Sequence, residues 1–485
     1  MQLQKRPIIF LYLLISVAVF SFQETANCSS LFTVSEYSKN ELQLAFNQAA
    51  TTPLLNPPYV SGDVNDKSDP AANLGLVLSV NENNRGLTAS SYSLTAVSDN
   101  EKVVLNDHII IKKEDGKATI KIIPTSAGYS NIIVTLSKDN KSVSLSIYYA
   151  ASDSKNASAN FHTGSSDASA AIALDSNYMV IGDDEYNQLL VYHTNASGLP
   201  VKAFNYSNLL HLTDGDGAGY KEVDCEASAR SLKHPETVYW TGSMSNGGKR
   251  FEEKANRSQI FATKISGTGL ATQFEIKGSY SKLRKFLLKW GDENGYKLSA
   301  SAGFGEKPKQ PGGFNIEGIV FAPDSTTLYI GFRAPQVPVS NRTKALIAPI
   351  INFEQWFNEG KPTGKPTIGK PIELDLDKRG IRDIIRLSDN SYLIVAGNAD
   401  AKKNAALYKW TGLEKDIPVN LNIPGISNLG AEAAIEILEN GKSTGKIQLI
   451  CDDGSTEWYE DGNASKNLDP RFKKFRSMVI SITNP

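Results

Sequence analysis

The sequence is poor in the residue types on which many enzymes depend. It has three cysteines and five histidines among 485 residues, and the histidines lie outside any motif, at positions 108, 162, 193, 211 and 234. No Cys-x-x-Cys pair or Cys/His cluster with zinc-site spacing occurs, and no Gly-x-Ser-x-Gly elbow is present. Zinc chemistry and Ser-His-Asp hydrolysis are therefore disfavoured. We predict that Cys225 and Cys451 are isolated buried thiols, and a bridge between them is the alternative.

The chain also lacks a surplus of charge. Its 51 basic and 52 acidic residues give a formal net charge of −1. Proteins that bind nucleic acid are usually strongly basic, so we expect no nucleic-acid partner. Hydrophobic residues make up 40% of the chain, which is typical of a soluble globular protein. A length of 485 residues exceeds one ordinary core and predicts two or more domains.

Only one long apolar run occurs, and it lies near the first residue. The basic residues 5–6 precede an apolar segment over residues 8–22. This run is too short for a membrane-spanning helix and is typical of a secretory signal. We predict a signal peptide over residues 1–26, a periplasmic or extracellular protein, and no transmembrane segment. Asn27 is a poor residue before a lipidated cysteine, which argues against a lipoprotein anchor at Cys28.

Residues 53–150 contain a series of short segments with alternating apolar residues. Turn clusters such as KEDGK and SKDNK separate them, a layout typical of an antiparallel β-sandwich. With its opening GDVNDKSDPAANLGLVLSV, the stretch resembles the immunoglobulin-like or cadherin-like modules of exported bacterial proteins. Such modules usually space or bind rather than catalyse. Upstream, SEYSKNELQLAFNQAA (35–50) predicts a short helix with Ser38 and Glu41 as a capping box.

After a Ser/Ala/Asn-rich linker the pattern becomes a repeat. Five units each begin with a short strand, a turn and a second strand, and their first strands start at DASAAIAL, DCEASARSL, NIEGIVFA, GIRDIIRL and GAEAAIEIL. Repeated four-stranded units of variable spacing are the signature of a β-propeller. We predict an all-β protein in which an immunoglobulin-like β-sandwich precedes a five-bladed β-propeller over residues 157–485. A strand near SANFHT would close the ring.

The region 281–312 interrupts this repeat. Its apolar residues recur at helical spacing with basic residues opposite. The apolar set is Leu283, Phe286, Leu287 and Trp290, and the basic set is Lys282, Arg284, Lys285 and Lys289. We favour a helix packed on a blade. The alternatives are a cationic lid over the ligand site, or a hidden strand set that would make the propeller six-bladed.

Polar residues recur at one position of the repeat. In a blade, the loop entering the first strand and the loop leaving the second lie on the same face, beside the central channel. The first strands open with the acids Glu226, Glu317, Asp383 and Glu432. The second strands end at Asp183, Asp184, Ser243, Arg333, Asn398, Asp452 and Asp453. The repeat therefore predicts a central funnel lined by carboxylates and arginines.

Carboxylates gathered in such a funnel need partners, because burial and like charge both raise their pKa values. Three solutions exist: pairing with Arg333, Arg379 and Arg382, protonation of some acids, or a hard divalent cation with oxygen ligands. We predict Ca²⁺ or another divalent cation, and no organic cofactor, with the metal ligands Glu226, Glu317, Asp383 and Glu432. The alternative for each acid singly is structural, with the carboxylate holding backbone amides between neighbouring blades.

An ordered set of short motifs carries a family resemblance. DDE, DCEA, FNIEG, GFRAP, RGIRD, LYKW and CDDG, spread over roughly residues 160–485, resemble the bacterial domain of unknown function numbered thirty-six sixteen. That group is similar to the phytase-like and esterase-like propellers. The resemblance implies a propeller and no established reaction. The commoner family spelling of the second motif is Asp-Leu-Glu-Gly, so Asp224 and Glu226 keep the acids while the glycine is lost. A five-carbon-sugar lactonase family uses a first-strand Glu-Gly for its metal, which implies Glu317 as the best analogue.

Two functions follow from these predictions. The first is metal-dependent hydrolysis of a phosphoester or lactone, with Arg333, Arg382 and Asp383 as catalytic residues. Substrate would contact the second-strand ends, at Asp183, Asp184, Ser243, Asn398, Asp452 and Asp453. The alternative is a non-catalytic module that binds a small anionic or sugar-like ligand or a protein partner, with the amino-terminal sandwich as a stalk.

Overall fold

The computed structural model describes residues 42–46, 59–80, 85–156, 158–216 and 219–482, and the regular secondary structure of this part is mostly β-strand. The predicted signal peptide and Cys28 lie outside the described residues. The helices that the structure describes are all too short or too polar to cross a bilayer. Cys225 and Cys451 are buried free thiols, as predicted.

Two packed sheets form the amino-terminal part. The first contains, in spatial order, Leu42–Phe46, Leu74–Val80, Lys117–Ile122 and Ile109–Glu114, with Arg85–Gly86 beside Leu74–Val80. The second contains Tyr59–Asp63, Lys141–Ser152, Gly128–Lys138 and Ser93–Ser98. Alternate residues of both sheets, among them Leu76, Ile120, Val134 and Ile147, share one buried core. The period-2 pattern therefore produces two layers with an apolar interior.

Residues 42–46 form a strand and not the predicted helix. The segment pairs antiparallel with Leu74–Val80, and Leu44 lies opposite Leu78. Local capping signals are weak, and backbone pairing with a neighbouring strand outweighs them here. The rest of the predicted helix lies outside the described residues.

Residues 159–481 form five four-stranded antiparallel sheets, which we call ring sheets 1 to 5. Ring sheet 1 contains Ala168–Ala173, Tyr178–Asp183, Gln188–His193 and Lys202–Asn205, and ring sheet 2 contains Cys225–Arg230, Thr237–Gly242, Ile260–Ser266 and Gln273–Tyr280. Ring sheet 3 contains Asn315–Phe321, Leu328–Ala334, Ala345–Ile350 and Ile372–Leu374, and ring sheet 4 contains Gly380–Arg386, Tyr392–Gly397, Ala406–Trp410 and Val419–Asn420. Ring sheet 5 contains Ala431–Glu439, Lys442–Cys451, Lys474–Ser481 and Ala159–Thr163. The first strand of each sheet packs against the first strand of the next, and that of sheet 5 packs against that of sheet 1. The sheets thus close into a propeller-like ring.

Ring sheet 5 joins the two ends of the ring region. Its outer strand, Ala159–Thr163, comes from the start of the region and pairs with Lys474–Ser481 from its end, with Phe161 opposite Arg476. This is the predicted closing strand. It fixes the circular arrangement on which a shared central site depends.

The region 281–312 holds the helices Leu283–Glu293 and Leu298–Ser301, and no additional sheet forms there. Leu283, Leu287 and Trp290 are buried in the core shared by ring sheets 2 and 3, which confirms a helix packed on a blade. Arg284 differs from the prediction, because it is buried and not on an exposed basic face. Its charge is compensated by an ion pair of 2.7 Å with Glu253. A third short helix, Phe353–Trp356, packs in the same core.

Candidate functional site

The first strand of every ring sheet carries an irregularity at the same place. In each sheet the pairing with the second strand skips one residue, and the skipped residues are Ser169, Glu226, Glu317, Arg382 and Glu432. A residue left out of the ladder in this way has its side chain re-aimed. The five ring sheets therefore present three glutamates, one arginine and one serine at equivalent positions around the ring.

Asp383 lies one residue beyond this position, and Arg382 occupies the place that the sequence repeat gave to Asp383. The Asp383 carboxylate accepts hydrogen bonds from the backbone N–H of Ile384 at 2.8 Å and of Ala434, in ring sheet 5, at 2.9 Å. Burial raises its pKa to about 7. Of the four predicted metal ligands only Glu432 is among the lining residues of the cavity described next, and Asp383 differs from Glu226 because both of its oxygens accept hydrogen bonds. The geometry therefore gives no support to its predicted metal-binding and catalytic roles and fits the structural alternative.

A cavity of about 680 Å³ opens at the level of the bulged residues. Six predicted site residues line it, namely Asp184, Arg333, Arg382, Asn398, Glu432 and Asp452. Further charged residues that the sequence did not single out also line it, among them Asp167, Glu222, Arg257, Lys309, Lys402 and Lys403. Ring sheets distant in sequence thus direct charged side chains into one shared space.

The remaining predicted substrate-contacting residues do not form part of the lining. Asp183 accepts hydrogen bonds from the backbone N–H of Glu185 and Tyr186 and shapes the turn that carries Asp184. Asp453 is fully buried and pairs with Arg476 at 2.7 Å. These two carboxylates support the walls of the cavity.

One half of the ring is ion-paired. Glu317 lies 2.7 Å from a guanidinium nitrogen of Arg333 and 2.9 Å from one of Arg382. Arg382 also reaches Glu432, at 2.5 Å. Burial opposes the charge on Glu317, but the two arginines outweigh it and lower the pKa of Glu317. We call these four residues the paired cluster, in which two acids balance two bases.

The other half holds three carboxylates, of which only Asp224 has an ion-pair partner among the described residues. Oxygens of Asp184, Asp224 and Glu226 all lie within 4.8 Å of one another. Glu226 is 3% exposed, and neither its Oε1 nor the buried Oδ1 of Asp184 has a hydrogen-bond partner. Burial, followed by the charges of Glu317 and Asp224, raises the pKa of Glu226. Burial and the Glu226 charge raise the pKa of Asp184. We call Asp184, Asp224 and Glu226 the acidic triad.

Asp224 is held in place by groups that converge on one of its oxygens. Arg257 lies 3.0 Å from Oδ2, and Ser243 and Ser245 also donate to this atom. Arg257 is in turn fixed by Glu222 at 2.7 Å. The backbone of Asp224 has φ +58°, a left-handed conformation that aspartate tolerates better than most residues. This anchoring leaves Oδ1 of Asp224 available to the triad. It also places Ser243, a predicted substrate residue, in a supporting role.

Sequence reasoning missed the lysines of the cavity. Lys309 comes from the Gly/Pro-rich loop before ring sheet 3, and no local pattern marks it. Lys309 is an exposed residue, but partial desolvation at the cavity and the Arg333 charge oppose its protonation; carboxylates, among them Glu226 and Glu317, outweigh both and raise the pKa of Lys309. Lys402 and Lys403 follow Asn398 in the same loop and also line the cavity. Their nearness in sequence to Asn398 is the feature that could have identified them as site residues.

Comparisons with known proteins give no family. No family model matches the chain, and no curated protein sequence matches it. The resemblance to the domain numbered thirty-six sixteen therefore stays a prediction.

Solved structures show distant likeness only. The chain is similar to a quinoprotein alcohol dehydrogenase-like protein from Bacteroides thetaiotaomicron, at 8% identity over 86% of this chain and 81% of that one, with a TM-score of 0.28. It is similar to virginiamycin B lyase from Staphylococcus aureus, at 12% identity over 60% of this chain and 70% of that one, with a TM-score of 0.26. A DUF4623 family protein from Bacteroides eggerthii matches at 10% identity over 86% of this chain and 91% of that one, with a TM-score of 0.24. TM-scores this low do not establish a shared fold, so the propeller-like architecture is inferred from the strand pairing.

Proposed function

We propose that the central cavity binds a small anionic substrate and, with a divalent cation, hydrolyses a phosphoester or lactone. One observation carries this proposal: the acidic triad and most of the basic residues of the cavity come from different ring sheets. Ring sheets 1 and 2 contribute the acidic triad, whereas most basic residues come from ring sheets 3 and 4 and from the loop before sheet 3. This basic set is Lys309, Arg333, Arg382, Lys402 and Lys403. Of the other basic residues of the lining, Arg257 is committed to Asp224 and Glu222, and Lys466 comes from a loop of ring sheet 5. A site of this polarity suits a substrate that bridges a cation and an ammonium or guanidinium group.

The chemistry assigned to each side follows from its charge. A divalent cation among carboxylates would polarise the substrate and lower the pKa of a bound water, which supplies the nucleophile. Lys309 and the two lysines of the 398–404 loop would hold the anionic group of the substrate. Arg382 lines the cavity, and the structure records hydrogen bonds from only its two Nη atoms. In this proposal its remaining N–H groups would stabilise the negative charge that develops in the reaction.

A specific observation favours the alternative, a module that binds an anionic or sugar-like ligand without turnover. All three guanidinium nitrogens of Arg333 are engaged, by Glu317, by Ala399 O at 3.0 Å and by Asp400 O at 3.0 Å. An arginine held in this way fixes the wall of the cavity. It has little capacity to stabilise the negative charge that develops on a substrate during a reaction. The alternative assigns the cavity to recognition alone.

For the whole chain we propose an exported protein, with a signal peptide over 1–26, a sandwich over 53–150 and a five-bladed propeller over 157–485. The sandwich would act as a stiff stalk. Buried contacts support this, because Lys474 of ring sheet 5 donates to Gly62 O at 2.8 Å and to Ser152 Oγ at 2.7 Å in the sandwich.

The proposal is tested with purified protein on a phosphomonoester, a phosphodiester and a lactone, each with Ca²⁺ and with EDTA. We expect turnover of one of them that requires the cation. Lys309→Met should raise KM more than it lowers kcat, because the lysine binds the anionic group and does not transfer a proton. Lys285→Met is the matched control, since Lys285 is exposed on the helix Leu283–Glu293.

Absence of turnover on every substrate would overturn hydrolysis. Phosphate binding that persists in that case, weakened by Lys309→Met and untouched by Lys285→Met, would establish the recognition module instead. If neither substitution changes phosphate binding, the proposal that Lys309 belongs to an anion-binding site is overturned.

A further inference from the structure

We infer that the acidic triad, Asp184, Asp224 and Glu226, binds one hard divalent cation, for which Ca²⁺ is the best fit. The inference deepens the proposed function and rests on it only for the use made of the ion. Binding of the ion itself requires no substrate. The position differs from the ligand set expected from the sequence, because Glu317 and Glu432 already have arginine partners.

The spacing of the triad suits a single calcium ion. Its three candidate ligand atoms lie within 4.8 Å of one another. Calcium binds oxygen at about 2.3–2.6 Å, so two of its ligands can lie up to roughly 4.6–5.2 Å apart. Oxygens spaced in this way are close enough for one ion to bind all three carboxylates after small side-chain adjustments. Asp184 and Asp224 line the cavity, which leaves room for water or a substrate oxygen to complete the coordination.

Unsatisfied atoms point to a missing ligand at this place. Only 3% of Glu226 is exposed, and its Oε1 accepts no hydrogen bond. Among the described residues, ion pairs reach Glu317, Glu432 and Asp224, and none reaches Glu226 or Asp184. A buried carboxylate without a partner is costly, and a cation at the triad would remove that cost for two of them at once.

The nearby basic residues do not replace the ion. Arg257 is committed to Oδ2 of Asp224 and to Glu222. Lys309 interacts electrostatically with Glu226 and Asp184, but it supplies one positive charge against three carboxylates. In the proposed site Lys309 and the ion would both contact the anionic group of a substrate, the lysine from the loop before ring sheet 3 and the ion from ring sheets 1 and 2.

A second acidic cluster provides the contrast. His234, Glu236 and Glu359 also bring ligand atoms within 4.8 Å, but all three residues are only half-buried. None of their side-chain atoms is among the buried, unpartnered ones of the described residues. We assign no ion to this cluster and use it as the control.

The test uses the full chain, stripped with EDTA and titrated with Ca²⁺ by calorimetry, with thermal unfolding measured in parallel. We expect one site and a melting temperature that rises with Ca²⁺, because an ion that binds the native state stabilises it. Glu226→Gln should weaken Ca²⁺ binding by more than about tenfold, because the number of charged ligands sets calcium affinity. Glu236→Gln should bind as the wild type does.

A second variant protects the test against misfolding. Ser243→Ala removes a hydrogen bond to Asp224 and leaves all three ligands in place. Loss of such a supporting contact should weaken binding roughly tenfold. The inference is overturned if no heat is measured with Ca²⁺, Mg²⁺ or Mn²⁺, or if Glu226→Gln binds as the wild type does. Phosphate binding that survives in that case leaves the anionic site standing, whereas Ca²⁺ binding without turnover removes only the hydrolysis.

Discussion

Glu226 and Glu317 occupy the same bulge position in adjacent ring sheets, yet their surroundings are opposite. Glu317 is held between two guanidinium groups, and its pKa is lowered by them. Glu226 is equally buried but has an oxygen without a partner, and its pKa is raised. One repeat position thus yields an ion-paired carboxylate in one sheet and a carboxylate with an unpartnered oxygen in the next. Position in the repeat does not by itself assign a role.

The neighbouring residues decide which outcome occurs. Ring sheet 3 supplies Arg333 at the end of its second strand, and ring sheet 4 supplies Arg382 at its own bulge. Glu226 has Ser169 at the equivalent position on its other side, so that neighbour brings no charge to compensate it. The ring is therefore electrically asymmetric, and this asymmetry gives the cavity its acidic and basic sides.

The largest effect should come from breaking the paired cluster. Glu317→Gln leaves two buried arginines without their shared carboxylate, and removal of one partner of a buried ion pair typically costs about 3–5 kcal/mol. We expect a clearly lower urea midpoint at unchanged slope. Glu226→Gln, the same change at the same position one sheet away, is the matched control. Equal midpoints for the two variants would contradict the distinction between the halves.

A smaller loss should follow from Asp383→Asn. The asparagine can accept only one of the two backbone hydrogen bonds, which should cost about 1–3 kcal/mol. The native-state pKa of Asp383 is raised to about 7. Between about pH 4 and pH 7 the native protein therefore keeps a proton on Asp383 that the unfolded chain releases. Its contribution to stability is full below about pH 4 and is lost as the pH rises through 7.

Urea unfolding of the wild type and of Asp383→Asn across pH 4–8 measures this contribution as a difference. The destabilisation caused by the substitution should be larger at pH 4 than at pH 8. A difference that stays constant across this range would show that Asp383 does not titrate as described.

The smallest predicted effect is a gain in stability. In EDTA, Glu226→Gln should stabilise the protein by about 1 kcal/mol, because a neutral amide replaces an unpartnered acid and can donate to a neighbouring carboxylate. In saturating Ca²⁺ the order of the melting temperatures should reverse. A variant less stable than the wild type in EDTA would mean that Glu226 already has a partner in the metal-free protein.

The fold was largely predictable because its signals are local. Strand alternation and the five-fold repeat predicted the ring sheets, and the match of SANFHT to the last sheet predicted the closing strand Ala159–Thr163. The exception was the segment Leu42–Phe46, where a capping pattern suggested a helix and pairing with a distant strand prevailed. Pairing partners remote in sequence leave no local mark.

The site was predictable only in outline. Acids at equivalent points of the repeat predicted a shared cavity, and Glu226, Glu317 and Glu432 do occupy equivalent bulges, although only Glu432 is among the residues that line the cavity. The repeat was misaligned by one residue in ring sheet 4, because Arg382 there has the charge opposite to its equivalents. Which glutamate would find an arginine, and that Lys309 would enter from a loop, depends on packing between sheets that the sequence pattern does not encode.

A crystal structure of the protein soaked in Ca²⁺ tests the central claim most directly. We predict one ion at about 2.3–2.6 Å from oxygens of Asp184, Asp224 and Glu226, with Glu317 still held between Arg333 and Arg382. An ion seated between Glu317 and Glu432, or an acidic triad without density at saturating calcium, would contradict the account.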